Sequence, residues 1–114
     1  MVNKIILIGR LTADPELRAT AAGVRVVNLR LATSTFTGKA DDGTRRERTD
    51  FHSLVVFGKA AEYAAEHLRQ GRLLYAEGRS QTRSWQTGDG QRRYSTEVVV
   101  EALQPLEPRP EQQP

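Results

Sequence analysis

The chain has 114 residues, no cysteine and a formal net charge of +3, and fourteen of its seventeen cationic side chains are arginine. This length suffices for one domain with one core, and the lack of cysteine excludes a disulfide framework, a thiolate nucleophile and a zinc knuckle. No apolar run is long enough for a membrane span or a signal peptide, so we expect a cytoplasmic protein with no membrane partner.

The first predicted strand runs from Asn3 to Leu11 and carries four consecutive apolar residues at positions 5–8. A strand that is apolar on both faces is typically buried on both sides. We therefore expect a core on one side of this strand and another subunit on the other. Residues 12–15 form a turn, and residues 17–22 fit either a short strand or an irregular return.

The second predicted strand, Val24 to Thr35, alternates between apolar and polar residues. Its aliphatic residues share one face, which places Arg30 on the open face of the sheet. Residues 36–48 contain two glycines and little apolar content, so they predict a long hairpin loop with Phe36 at its base. The basic side chains of this loop are Lys39, Arg45, Arg46 and Arg48.

Residues 49–71, TDFHSLVVFGKAAEYAAEHLRQG, predict a strand, a glycine break and a helix. In an extended strand, His52 and Leu54 share one face, and Phe51 and Phe57 lie on the other. A helix from Lys59 to Gln70 has an alanine-rich side that covers the Leu54 face, and Gly71 stops it. The two phenylalanines then need another partner, either stacked bases or a second apolar layer such as a subunit interface.

Residues 72–86 predict a fourth strand whose small or apolar side chains point inward. The same alternation points Arg79, Arg83 and Trp85 outward. A TGDGQ turn and a final strand from Arg93 to Leu103 follow. Four of the five prolines fall in residues 104–114, so we expect a folded domain over residues 1–103 and a disordered proline-rich extension after it.

Three strands, a helix and two more strands are the order of a five-stranded OB barrel, an all-β fold with one helix between strands 3 and 4. Other small barrels and sandwiches with one helix share this order. The pattern alone leaves them open.

The recurring combination is an aromatic residue with arginines on an outward face. Single-stranded nucleic acid requires this interleaving, because phosphates recur along the strand while bases splay out and stack. Duplex DNA has no exposed rings to stack on. Taken singly, each aromatic is more often a core residue and each basic pair more often a solvated face.

Motifs for catalysis are lacking. His52 and His67 are the only histidines, and the sequence has no phosphate-binding glycine loop, no HExxH and no nucleophile elbow. We interpret His52 as a structural residue and expect a protein that is not an enzyme and has no cofactor or metal ion. A nuclease or other hydrolase on a similar barrel is the alternative from another class.

Several stretches resemble the bacterial single-stranded DNA-binding protein (SSB) family across almost the whole predicted barrel. They are NKIILIGRLTADPELR, VRVVNLRLATS, TDFHSLVVFGKAAEYAAEHLRQG, YAEGRSQTRSW and GQRRYSTEVVVEAL, in the order of the family. The resemblance implies an OB fold, sequence-independent coating of single-stranded DNA in replication, recombination and repair, and a homotetramer associated with the nucleoid.

The resemblance also implies roles for individual residues. The stacking positions of the family are held here by Phe36, Phe51, Phe57 and Trp85. Lys4, Arg30, Lys59, Arg79 and Arg83 match positions that line the path of the strand. Together with the basic cluster above, the predicted strand-binding residues are Lys4, Arg30, Phe36, Lys39, Arg45, Arg46, Arg48, Phe51, Phe57, Lys59, Arg79, Arg83 and Trp85.

The first strand matches the family's pairing of subunits across a two-fold axis. The predicted subunit-contact residues are Ile6, Ile8, His52 and Tyr75.

Members of the family typically continue into a flexible tail whose acidic tip recruits replication and repair proteins. This sequence ends EPRPEQQP without such a tip. We interpret this as a truncation within a longer tail or as a shorter paralogue, and the proline-rich ending favours truncation. The remaining alternatives are an OB-fold accessory module of the primosome, which binds a partner protein first, and binding of RNA in the cell.

Overall fold

The computed structural model describes residues 1–107, and residues 108–114 lie outside it. Its elements are β1 (Ile5–Leu11), β2 (Glu16–Ala19), β3 (Arg25–Lys39), β4 (Arg45–Phe57), α1 (Lys59–His67), β5 (Leu73–Gln86) and β6 (Arg92–Pro105). No helix of the described residues has the length and apolar character that crossing a membrane requires.

The strands form one sheet in the order β1-β5-β6-β4-β3-β2, and an additional pairing of β1 with β3 closes five of them into a barrel. All pairings are antiparallel except that of β4 with β6, which is parallel and joins Leu54 to Val98 and Val55 to Val99. The predicted five-stranded barrel with one helix is confirmed. The helix lies between β4 and β5 in the full count, because the segment left open in the sequence forms the extra strand β2, paired with β3.

The core lies inside the barrel and consists of the inward side chains of the strands together with one side of α1. Leu31, Leu54 and Leu74 are fully buried there, as the alternation of their strands predicts. The buried cluster is Leu11, Val27, Leu29, Leu31, Leu54, Val56, Ala61, Ala64, Leu68, Leu74, Ala76 and Val98. Because the core takes the inward faces, outward side chains such as Phe36, Phe51 and Trp85 remain exposed.

The helix is shorter than its composition predicts. It begins after Gly58, whose φ of 73° lets the chain turn out of β4, and it ends at His67 rather than Gln70. Leu68 adopts an extended conformation, and its side chain is buried in the core. Tertiary packing of this leucine therefore ends the helix before Gly71 is reached.

Residues 36–48 are largely strand, so the prediction of a long hairpin loop there is wrong. β3 continues to Lys39 and pairs with β4 from Arg45 onward, with a register shift between Phe36 and Gly38. A tight turn connects them, in which the backbone N–H of Ala40 donates to the carbonyl of Thr44 at 2.8 Å. This ribbon extends past the barrel and is exposed on both faces, so it lacks the apolar alternation by which strands are recognised.

Two glycines allow backbones to approach closely in the barrel wall. A Cβ atom at Gly78 would overlap the carbonyl oxygen of Val99, and one at Gly9 would overlap that of Ala32. The register of β5 with β6 shifts between Glu77 and Gly78, beside the first of these approaches. Any side chain at either position would push the strands apart.

The final strand extends past Leu103, where the sequence predicts the folded domain to end. β6 reaches Pro105, the N–H of Leu106 donates to the carbonyl of Leu73 at 3.1 Å, and Glu107 pairs with Arg10 at 2.8 Å. The rest of the predicted extension lies outside the described residues.

Candidate nucleic-acid interface

The outward face of the β3–β4 ribbon carries the three phenylalanines of the chain. Residues that pair across antiparallel strands share a face, and the pairs include Phe36 with Glu47, Ala32 with Phe51 and Val26 with Phe57. All three rings are about half exposed. The register thus places the three predicted stacking positions of this ribbon in one row.

Arginines lie against two of these rings. The guanidinium carbon of Arg30 is 5.0 Å from the ring centroid of Phe51, and that of Arg45 is 4.4 Å from the centroid of Phe36. Both distances fall within the range of cation–π attraction. Each pair therefore holds a cation over a flat ring, and these are the two groups that contact a phosphate and a base.

The β5–β6 ribbon carries the rest of the predicted surface. Arg79, Arg83 and Trp85 share its outward face by alternation, and Trp85 pairs with Arg93. Across the barrel wall, Arg79 pairs with Val99 and Val99 with Val55 on β4. The outward faces of β5, β6, β4 and β3 are therefore continuous, and we call this surface the aromatic face: Arg30, Phe36, Phe51, Phe57, Arg79, Arg83 and Trp85.

A cleft of about 260 Å³ opens on the aromatic face. Arg30, Ser53, Arg83, Ser95 and Glu97 are among the residues that line it. The side chain of Glu97 is only 13% exposed, and its Oε1 lies 3.1 Å from Nε of Arg83. Glu97 carries no distinguishing signal in the sequence, although the alternation of β6 places it on the same face as Val99.

The remaining predicted cations are distributed differently. Lys39 pairs with Arg45 at the tip of the β3–β4 ribbon, and Lys59 begins α1 two residues after Phe57. Arg46 and Arg48 point to the opposite face of that ribbon, where Arg48 pairs with Asp50 at 3.1 Å. The structure thus brings Arg30, Arg79 and Arg83 to the aromatic face and places Arg46 and Arg48 behind it.

A second exposed surface lies on β1 and β5. Ile6 is 56% and Ile8 54% exposed, and they pair with Glu77 and Tyr75. Lys4 donates to Glu77 at 2.6 Å and the Tyr75 hydroxyl donates to it at 2.7 Å, and these hydrogen bonds hold the pKa of Glu77 below its ordinary value. Lys4, predicted to bind the strand, is therefore engaged in the surface that holds the predicted subunit contacts.

His52 lies apart from this surface. It points to the inward side of β4, pairs with Leu31 across the ribbon, and its Nε2 is 2.8 Å from Oγ1 of Thr33. Three of the four predicted subunit-contact residues thus lie together, and His52 does not. Within residues 1–107, no group of three or more histidine or acidic side chains is arranged to hold a metal ion.

Comparison with known proteins gives consistent matches. The model of the single-strand binding protein family matches residues 2–106. A structure described as Plasmodium falciparum SSB in complex with ssDNA superposes with a TM-score of 0.83 at 30% identity, over 94% of this chain and 97% of that chain.

A deletion mutant of the single-stranded DNA-binding protein from Thermus aquaticus superposes with a TM-score of 0.79 at 32% identity, over 95% of this chain and 52% of that chain. Both likenesses extend over nearly the whole of the chain, and thus include the barrel and both ribbons.

Proposed function

Because the chain belongs to the single-strand binding protein family, we propose that it coats single-stranded DNA, largely independently of sequence, and protects it during replication, recombination and repair. The observation that carries this proposal is the aromatic face. It combines half-exposed rings on two ribbons with arginines that lie within contact distance of two of them.

The proposed mechanism assigns one task to each kind of residue. Bases stack on Phe36, Phe51, Phe57 and Trp85, and each stack contributes roughly 1 to 3 kcal/mol. Stacking tolerates any base, since every base has a π face. The path of the strand runs from one ribbon to the other across the outward faces of β4 and β6.

Arginines supply the phosphate contacts. Arg30 and Arg45 lie over phenylalanine rings before binding, and their planar forks match phosphate oxygens. When a base stacks on the ring, it displaces the arginine, which then lies beside the phosphate of the same nucleotide. We expect the paired contacts to base and phosphate to fix the position of the DNA strand on the protein without reading its sequence.

Assembly into a homotetramer is part of the proposal. Its support is the pair of exposed isoleucines on β1, which lie on a face bounded by the Lys4, Tyr75 and Glu77 network. An apolar strand face of this kind is stabilised when a second copy covers it.

A role as a binding protein rather than an enzyme, a cytoplasmic location at the nucleoid, and recruitment of replication and repair proteins through a tail also belong to the proposal. They rest on membership of the family. Incubation of labelled DNA with magnesium or calcium tests the first of these, and we expect no cleavage.

The experiment that tests binding uses the single tryptophan as its reporter. The protein is titrated with an oligothymidine and with a duplex at low and high salt, and fluorescence is followed. We expect strong quenching by the single strand, little by the duplex, and weaker binding at high salt because counterions are released. Equal affinity for both forms would contradict the proposal, and tight binding without quenching would remove Trp85 from the path.

A further inference from the structure

The carboxylate of Glu97 is out of place on a surface that binds a polyanion. It lies at the cleft on the aromatic face and is 13% exposed. Within residues 1–107, its only charged or hydrogen-bonding partner is Arg83, although an ionised carboxylate has about four acceptor sites. The acceptor sites that Arg83 leaves unoccupied are accessible to a ligand in the cleft.

The chemistry of the cleft restricts what enters it. A phosphate is repelled by the carboxylate, whereas an N–H group of a base can donate to it. Arg30 and Arg83 line the same cleft and offer donors to the carbonyl oxygen of a base. The cleft therefore presents acceptor and donor groups side by side, which suits the edge of a nucleobase.

The position of the cleft fits a nucleotide between two stacked neighbours. On one side, Arg30 contacts the ring of Phe51. On the other, Arg83 lies two residues before Trp85 on the same face of β5. A strand that stacks on both rings passes over the cleft.

We propose that this cleft binds the Watson–Crick edge of one base and prefers guanine there. This inference rests on the proposed function and adds a bias at one nucleotide to otherwise sequence-tolerant binding. Guanine presents two adjacent donors, N1–H and the N2 amino group, to the carboxylate, and its O6 accepts from an arginine. Thymine presents a single N–H between two oxygens, which the carboxylate repels.

The test compares labelled oligothymidine with strands of equal length that carry isolated guanines, spaced so that they cannot fold. Further strands carry inosine, which lacks the N2 amino group, or cytosine. Affinities are measured by fluorescence anisotropy at one salt concentration. We expect the guanine strand to bind at least about fivefold more tightly than oligothymidine, with inosine between them, since a bidentate base contact gives discrimination of this order.

Two variants test whether the carboxylate of Glu97 is the cause of a preference for guanine. Glu97→Gln supplies a donor as well as an acceptor, so we expect its guanine-to-thymine ratio to fall to near one. Glu47→Gln is the matched control. Glu47 is also an outward carboxylate paired with an arginine, Arg45, at 3.2 Å, but it lies on the β3–β4 ribbon and does not line the cleft. We expect it to keep the ratio of the unmodified chain.

The outcomes are distinct. Equal binding of all strands by the unmodified chain would overturn the guanine cleft and leave the coating function intact, whereas absence of binding to every strand would overturn both. A guanine preference that survives Glu97→Gln would assign it to stacking and overturn the role of the carboxylate. If Glu97→Gln does not fold, the inosine strand decides, since loss of the N2 donor alone must weaken binding.

Discussion

Trp85 and Tyr94 lie near the free end of the β5–β6 ribbon, on opposite faces of it. Trp85 pairs with Arg93, and Tyr94 pairs with Ser84 one position along. We expect Trp85→Ala to weaken binding of oligothymidine by about 1 to 3 kcal/mol, because one stacked base is lost. Anisotropy of a labelled oligonucleotide measures this without the tryptophan.

Tyr94→Ala is the matched control, because Tyr94 is even more exposed yet faces away from the proposed path. We expect its affinity to stay close to that of the unmodified chain. If both variants lost affinity equally, DNA would not bind specifically to the ribbon face that carries Trp85. The ribbon would then contact DNA through its edge or its end.

Gly78 tests the packing of the barrel wall. Gly78→Ala brings a Cβ onto the carbonyl oxygen of Val99, so we expect the free energy of unfolding to fall by about 2 kcal/mol or more. Urea unfolding measures it. Gly88→Ala is the control, since a Cβ there has no neighbour within 4 Å, and we expect a change within about 0.5 kcal/mol.

Single residues show what the sequence can predict. Arg83 and Trp85 follow from strand alternation, which needs only local order. The pairing of Lys4 with Glu77 does not, since the two residues are far apart in sequence and meet only because β1 pairs with β5. Glu97 was missed because its significance depends on a cleft that four strands form together.

The ends of the two ribbons lack the buried core that stabilises the barrel. Beyond the barrel, residues 34–49 and 82–95 contribute nothing to the buried hydrophobic cluster. We expect their amides to exchange with deuterium faster than those of residues 26–31 and 54–56, because opening a ribbon exposes little apolar surface. Native-state hydrogen exchange measures this by residue.

Addition of oligothymidine extends this measurement. We expect it to slow exchange in both ribbons. Slowing confined to one ribbon would contradict a path that runs across both.

At the scale of elements, sequence patterns worked where a strand has a buried face. β3 through Leu31, β4 from Phe51 and β5 were predicted because apolar residues recur at every second position. The ends of β3 and α1 were misjudged for opposite reasons. The end of β3 has no buried face and therefore no apolar pattern. The helix ends early because Leu68 packs in the core against residues that are distant in sequence.

At the scale of the whole molecule, the proposed tetramer depends on the exposed isoleucine face of β1. We expect Ile8→Glu to lower the mass in solution from that of a tetramer, because a charge on a buried apolar contact is costly. Analytical ultracentrifugation measures it. Val24→Glu is the control, since Val24 is also exposed but lies outside the strands. A tetramer that persists in Ile8→Glu would place the contact elsewhere.

The position of β1 between β3 and β5 has a consequence for how the chain comes to be folded. The ribbons β3–β4 and β5–β6 close over short turns and can form locally. The pairs between β1 and β5, such as Ile5 with Gly78 and Arg10 with Leu73, join residues that are far apart in sequence. Closing such distant contacts is slow. During synthesis, β1 leaves the ribosome before its partner β5, which begins only at residue 73. A strand that is apolar on both faces therefore stays without this partner until β5 has emerged, and its outward isoleucines are exposed to other chains during that time.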